Sequence, residues 1–186
     1  RVTLDNNTNV FVGNVRVNPS TILQLNGTSI IPDASNVTVN GTLYFNSTGE
    51  TINALNGTGV IQVHPSVGTS PTLTVGAAGG SGSFGGTIQN GGNGSAKVAL
   101  RKIGAGTQTF TGMMNNTGGT IVDQGVVVFN RGGMGFPGGT STGQFGTGHT
   151  VTVNSGAEVQ FGANWVTGGG LVNQIVANGG TIRFLN

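Results

Sequence analysis

The sequence lacks cysteine altogether and carries very little charge. None of its 186 residues is Cys, and only 6% are Asp, Glu, Lys or Arg, whereas about a quarter is usual in soluble domains. Without cysteine, the chain has no disulfide framework, no thiolate nucleophile and no Cys-ligated metal. The five acids are widely spaced, and neither histidine has an acid or a second histidine at ligand spacing. We therefore expect no metal and no cofactor.

Cations and long apolar runs are also scarce. Seven Lys and Arg residues give a net charge of +2, and Lys97, Arg101 and Lys102 are their one cluster. A nucleic-acid surface needs many clustered cations, so we expect no nucleic-acid partner. No stretch approaches 18 consecutive apolar residues, which predicts no membrane span in this segment. The start at Arg1 is typical of a mature or excised segment of an exported protein.

The abundant residues favour strands and tight turns. The chain has 37 Gly, 25 Thr and 21 Asn, and 35% of its residues are hydrophobic. Thr prefers strands, Asn and Gly prefer turns, and all three form helices poorly. The composition predicts an all-β chain with an apolar core and almost no helix.

Five segments share one pattern, roughly x-Val-x-Val-Asn-x-Gly-x-Leu-x-Phe. Each reads as a short alternating strand, a turn and a second short strand. They lie at 14–25, 36–45, 120–129, 150–161 and 174–184. Their closing residues are Leu25, Phe45, Phe129, Phe161 and Phe184, and with turns of about 20 residues the 84 residues from Phe45 to Phe129 predict four turns.

Two architectures fit this pattern. An antiparallel β-sandwich would use the Asn-Gly turns as hairpins. A right-handed parallel β-helix, or β-solenoid, with turns of about 20 residues fits the period better. Because equivalent positions of a solenoid stack closely, like charges would repel there, and the low charge favours the solenoid. We expect solenoid turns at 1–130, a Gly-rich inserted loop at 131–148 and further turns at 149–186.

The segment 100–130 reads LRKIGAGTQTFTGMMNNTGGTIVDQGVVVFN. Its key positions are Leu100, Lys102, Gly104, Gly106, Thr107, Phe110, Gly112, Gly118, Gly119, Thr120, Val122, Gly125 and Val127. Their spacing resembles the autotransporter-associated β-strand repeat of passenger domains in bacterial surface and secreted proteins. Asn116 stands where that repeat usually has an aromatic residue, and Met114 where it usually has Asn. The resemblance implies a parallel β-helical stalk, a structural corner role for Lys102 and no particular activity.

Few residues are candidates for catalysis. A solenoid brings residues about 20 apart together, so Asp33 and Glu50 are the one plausible carboxylate pair for glycoside hydrolysis. Solvated surface and turn positions are the favoured interpretation of both acids. We interpret His64 and His149 as histidines satisfied at the surface or in turns. We expect no enzymatic activity and no catalytic residues.

Asn-x-Ser/Thr sequons occur about twice as often as chance gives. They are glycosylation candidates in a host that modifies surface proteins, although a turn followed by a strand selects the same tripeptides. The acceptors would be Asn6, Asn26, Asn36, Asn40, Asn46, Asn56, Asn93 and Asn115. Trp165 is the candidate for stacking on a sugar.

The sequence predicts a non-enzymatic, extracellular or cell-surface structural protein, an adhesive stalk or filament subunit. The last strand pattern stops at Asn186 without a cap, which predicts self-association end to end or by strand addition. Surface glycans are the other expected partners. The alternative function is a glycan-binding or polysaccharide-degrading β-helix module that uses Trp165 and the 131–148 loop.

Overall fold

The computed structural model describes residues 1–5, 11–91, 95–131, 145, 148–162 and 174–185. These residues form short strands separated by turns, and they contain no helix. In chain order the strands are β1 (Val2–Leu4), β2 (Val15–Val17), β3 (Ile22–Leu25), β4 (Asn36–Val39), β5 (Thr42–Phe45), β6 (Gly49–Ile52), β7 (Ala54–Asn56), β8 (Val60–Val63), β9 (Thr72–Val75), β10 (Gly82–Phe84), β11 (Thr87–Gln89), β12 (Ala99–Lys102), β13 (Thr107–Phe110), β14 (Met113–Asn115), β15 (Thr120–Val122), β16 (Gly125–Phe129), β17 (Thr150–Asn154), β18 (Ala157–Phe161), β19 (Gln174–Asn178) and β20 (Thr181–Phe184).

The strands stack into three sides. Side 1 has the order β1-β3-β5-β8-β11-β14, and side 2 has the order β6-β9-β12-β15-β17-β19. Side 3 consists of β2-β4-β7 and β10-β13-β16-β18-β20, which a bridge between Gly57 and Phe84 joins. All strand pairs among the described residues are parallel. The β-solenoid prediction is confirmed, and the antiparallel sandwich is wrong.

The chain passes side 1, side 2 and side 3 in order. The six strands of side 2 mark about six turns. Before them, two turns have described strands on sides 1 and 3 alone. Paired residues on adjacent turns lie 18 positions apart at Thr42 and Val60 but 32 apart at Gly125 and Ala157. The turn length therefore varies around the predicted 20 residues, because corners tolerate insertions better than stacked strands do.

Alternation along each strand builds a continuous core. Inward residues are buried while their neighbours face outward, as in β5, β8 and β18. A column of phenylalanines lines side 3, where the rings stack at centroid distances of 5.8 Å, 5.7 Å and 5.4 Å from one turn to the next. Its members in register are Phe84, Phe110, Phe129, Phe161 and Phe184.

Glycines form the corner between sides 3 and 1 on successive turns, at Gly41, Gly59, Gly86 and Gly112. A Cβ atom on Gly86 would lie 2.0 Å from the carbonyl oxygen of Gly59, and one on Gly112 would lie 1.8 Å from the oxygen of Gly86. Both distances are far inside van der Waals contact. The turns can approach this closely only where no side chain is present.

The five aligned segments do not occupy one column, so the prediction of four turns between Phe45 and Phe129 was wrong. The first two end on side 1, at Leu25 and Phe45, whereas the last three end on side 3. Phe45 and Phe129 are separated by three turns and two sides, not by four turns. Strands on all three sides alternate apolar and polar residues and are joined by similar Asn and Gly corners. The shared sequence pattern therefore predicts where a strand pair lies in the chain but not which side of the solenoid it occupies.

Most of the 131–148 loop lies outside the described residues, which include Arg131, Phe145 and Gly148 of it. Phe145 is buried and forms a parallel bridge with Met114 of side 1. Its ring meets Phe129 edge-on at 4.7 Å. This residue of the predicted insertion is therefore part of the stacked core.

Candidate functional site

Glu50 is a buried carboxylate that holds a neighbouring segment through backbone hydrogen bonds. It lies in β6 and is 4% exposed. One carboxylate oxygen accepts from the backbone N–H of Ile30 at 2.9 Å and of Ile31 at 3.4 Å, and the other accepts from Thr51 at 3.2 Å. Burial raises the pKa of Glu50, these hydrogen bonds oppose the rise, and the negative charge of Asp33 adds to it.

The solenoid thus brings Asp33 near Glu50, as the spacing predicts. Asp33 is exposed in a turn, as predicted, but the predicted solvated position of Glu50 is wrong, because Glu50 is buried in β6. A general acid or nucleophile must reach the substrate, and both oxygens of Glu50 face backbone donors instead. Glu50 thus fixes the segment around Ile30 and Ile31 by hydrogen bonds. This segment lies between β3 and β4, where later turns have a side 2 strand.

His149 lies directly before β17 and is completely buried. The predicted surface position is therefore wrong. Its Nδ1–H donates to the carbonyl oxygen of Asn116 at 2.7 Å, and Nε2 accepts from the hydroxyl of Thr120 at 3.0 Å. The ring stacks on Phe145 at 4.6 Å. Burial lowers the pKa of His149 to about 4, against the opposing effect of the Asn116 bond. The imidazole is neutral at pH 7 and joins three segments.

His64 is different, because its side chain is partly exposed. Its ring contacts Tyr44 edge-on at 5.3 Å, and Nδ1 accepts from the backbone N–H of Ser66 at 3.3 Å. No group of three or more His, Cys, Asp or Glu side chains gathers at a common point in the described part of the chain.

Lys102 points into the core at the corner after β12. It is 1% exposed, and its ammonium donates to the carbonyl oxygens of Ile103 at 2.6 Å, Gly104 at 2.7 Å and Gln124 at 3.4 Å. Burial lowers the pKa of Lys102. The side chain ties its own corner to the corner of the next turn.

The other two cations of the cluster point elsewhere. Arg101 alternates with Lys102, faces outward and pairs with Asp123 at 2.5 Å. Burial raises the pKa of Asp123, but the hydrogen bonds from Arg101 and Asn154 and the charge of Arg101 outweigh it, so the net pKa is lowered. Lys97 is exposed before β12. The three residues therefore form no common cationic surface.

Two ladders of asparagine side chains that connect successive turns each begin at an aspartate. At the end of the side 1 strands, Asn26 donates through Nδ2 to Asp5, and Asn46 donates to Oδ1 of Asn26 at 3.0 Å. An amide both donates and accepts, so it can continue a ladder, while a carboxylate accepts only and can start one.

A second ladder follows the side 2 strands. Asn154 donates through Nδ2 to Asp123 at 2.6 Å, and Asn178 donates to Oδ1 of Asn154 at 3.0 Å. The aligned segments carried the signal for this ladder, since Asp123 occupies the position at which the later segments have Asn.

Several sequon asparagines have structural roles. The Nδ2 atoms of Asn26 and Asn46, which glycosylation would modify, donate within the first ladder. Asn36, Asn40 and Asn56 accept on Oδ1 from Asn or backbone donors of the following turn. These contacts give the turn-and-strand explanation of the tripeptides a physical basis.

Asn115 faces outward on side 1 and is partly exposed. Asn6, Asn93 and Trp165 lie outside the described residues, so the proposals for these three positions stay predictions.

Gln108 is a buried amide that the sequence reasoning missed. It is 1% exposed, accepts from the backbone N–H of Leu55 at 3.1 Å and donates to the Leu55 carbonyl at 2.9 Å. Gly82 lies between Leu55 and Gln108 on the intervening turn. Because Gly82 has no side chain, the Gln108 side chain can extend past it to Leu55. Gln108 thereby joins two turns at the break between the two sheets of side 3. A lone Gln at an inward, otherwise apolar position was the available signal.

Two hollows lie on the surface of the described residues. One of about 350 Å³ lies at the first turns, and Arg1 and Arg16 are its charged lining residues. Another of about 340 Å³ lies on side 2 around the Arg101–Asp123 pair and Ile121. Within the described residues, no helix could cross a membrane.

No protein-family model, curated protein or solved structure matches this chain. The resemblance of 100–130 to the autotransporter-associated repeat therefore stays a prediction.

Proposed function

We propose that this chain is a non-enzymatic structural segment of an exported protein, a β-solenoid stalk that forms filaments at the cell surface or outside the cell. The observation that supports this proposal is the use of its buried polar groups. Glu50, Lys102, Gln108 and His149 all bond to backbone groups of other segments or corners. An enzyme would direct such groups into a cleft open to substrate.

The last described turn supports the filament part of the proposal. The outer edges of β19 and β20 pair with no other described strand. Phe184 stacks on Phe161 at 5.4 Å but remains 57% exposed. An open strand edge beside an exposed aromatic ring favours the addition of a further β-layer. We propose that a second copy of the chain supplies this layer.

Light scattering and negative-stain microscopy over a concentration series test the proposal. We expect rods that lengthen with concentration, and we expect Phe184→Glu to prevent the growth because it places a charge in the aromatic stack. Ile121→Glu is the matched control, since Ile121 is 44% exposed on the outer face of side 2 and lies away from both ends of the stack. Monomers alone at high concentration, or equal loss of assembly in both variants, would contradict the filament proposal.

A further inference from the structure

The outer surface of side 1 carries two parallel columns of uncharged side chains. The methyl column consists of residues that each present a methyl group, namely Ile22, Thr42, Val60, Thr87 and Met113. The amide column beside it consists of Tyr44, Gln62, Gln89 and Asn115. By contrast, side 2 exposes Arg101, and side 3 exposes an ion pair between Arg183 and Glu158.

The amide column has unused hydrogen-bonding groups. The Gln89 amide donates to Oε1 of Gln62, which leaves Nε2 of Gln62 and Oε1 of Gln89 without a partner among the described residues. The Tyr44 hydroxyl and the Asn115 amide also have none there. All four side chains are partly exposed. Adjacent members lie on neighbouring strands, about 4.8 Å apart, so donors and acceptors form a straight row along the solenoid axis.

We propose that these two columns bind a linear, uncharged polysaccharide that runs along the axis across the strands of side 1. Sugar rings present C–H groups and hydroxyls in alternation around one ring. The methyl column suits the C–H groups, and the amide column suits the hydroxyls because amides, like hydroxyls, both donate and accept. The Tyr44 ring at one end of the row adds an aromatic surface.

The charge pattern selects this partner over other polymers. A nucleic acid or an acidic polysaccharide requires cations to offset its charge, and neither column contains one. A protein strand that adds to a sheet needs an open backbone edge, whereas this surface presents side chains. The proposal does not depend on filament formation, because the columns lie on the side of the solenoid and not at its last described turn.

Side-chain amide resonances in two-dimensional NMR test the proposal on the intact chain. Titration with a soluble neutral β-linked gluco-oligosaccharide should shift the signals of Gln62, Gln89 and Asn115. The signals of Gln160 on side 3 and Gln174 on side 2 should stay unchanged. The absence of any shift at millimolar sugar, or equal shifts on all three sides, would overturn the proposal.

A pair of double variants provides the matched comparison. Gln62→Ala with Gln89→Ala should weaken binding at least tenfold, while Thr74→Ala with Thr152→Ala on side 2 should leave it unchanged. Thermal unfolding of each variant establishes that it is folded. Equal affinity in both double variants would contradict the proposal. So would tighter binding of a polyuronate, or the same NMR shifts on raising protein concentration without sugar.

Discussion

At the scale of single residues, buried polar side chains lie where the solenoid departs from regular stacking. Gln108 spans the break between the two sheets of side 3. Glu50 holds the segment that stands in place of an early side 2 strand. His149 contacts Phe145, at which the inserted loop returns to the core. Each supplies hydrogen bonds that a neighbouring strand would otherwise provide.

Replacing Gln108 tests this role. Gln108→Leu keeps the volume but leaves the N–H and carbonyl of Leu55 unpaired in the core, so we expect a loss of about 2–4 kcal/mol in the free energy of unfolding. Urea denaturation measures it. Gln174→Leu changes an exposed Gln and should stay within about 0.5 kcal/mol of wild type. Equal effects of the two substitutions would show that the Leu55 bonds contribute little.

Glu50 predicts a pH-dependent difference between wild type and Glu50→Gln. Because its folded pKa is raised, the carboxyl favours folding below its unfolded pKa of about 4.3, and this contribution is lost as pH rises through the folded pKa. The neutral amide does not titrate. Urea denaturation should show Glu50→Gln gaining relative to wild type between pH 4.5 and pH 7. A pH-independent difference would contradict the raised pKa.

His149 predicts the opposite trend at low pH. Its folded pKa of about 4 lies below the unfolded value of 6.5, so its contribution is present above the unfolded pKa and declines between these values, by up to about 1.4 kcal/mol per pH unit. Wild type should exceed His149→Gln in stability at pH 7.5, and the gap should narrow towards pH 4.5. A gap that stays constant over this range would show that the imidazole titrates normally when folded.

At the scale of elements, strand positions followed from the sequence better than strand neighbours did. The aligned segments 36–45 and 150–161 each contain the expected strand pair, β4 with β5 and β17 with β18, because an inward apolar residue every second position is a local property. The inward Gln108 was missed because its partner Leu55 is 53 positions away. Which strands pair depends on the number of residues in each turn. This number cannot be read from the sequence, because the corners vary in length.

The glycine corner between sides 3 and 1 gives an element-level prediction. Gly86→Ala would place a Cβ atom 2.0 Å from the carbonyl oxygen of Gly59, and we expect about 3 kcal/mol of destabilisation as the turns move apart. Gly68→Ala is the control, because a Cβ there meets no atom within 4 Å. Thermal and urea unfolding should show Gly68→Ala close to wild type. Similar losses for both would argue against close stacking at this corner.

The candidate sites were predicted only where a local pattern existed. The proximity of Asp33 and Glu50 followed from the turn length, but the burial of Glu50 did not, because it depends on the segment that contains Ile30. The Lys97, Arg101 and Lys102 cluster was compact in sequence, yet strand alternation divides it between core and surface. Closeness in sequence therefore did not produce one cationic surface from these three residues.

At the scale of the whole molecule, the low charge is consistent with stacking. Each turn stacks its strand positions on those of the turn before it, so like charges at equivalent positions would lie about 4.8 Å apart. Neutral Asn ladders avoid this repulsion, and each described ladder places its one carboxylate at the first position.

Engineered disulfide formation tests the parallel register, on which all of these roles depend. Ile121 and Thr152 face outward on neighbouring strands of side 2, within the range that a disulfide spans, and the chain has no native cysteine. Oxidation of Ile121→Cys with Thr152→Cys should give a nearly complete intramolecular disulfide. Thr74→Cys with Ile121→Cys, two strands apart, should give very little. The reverse outcome would contradict the stacked solenoid.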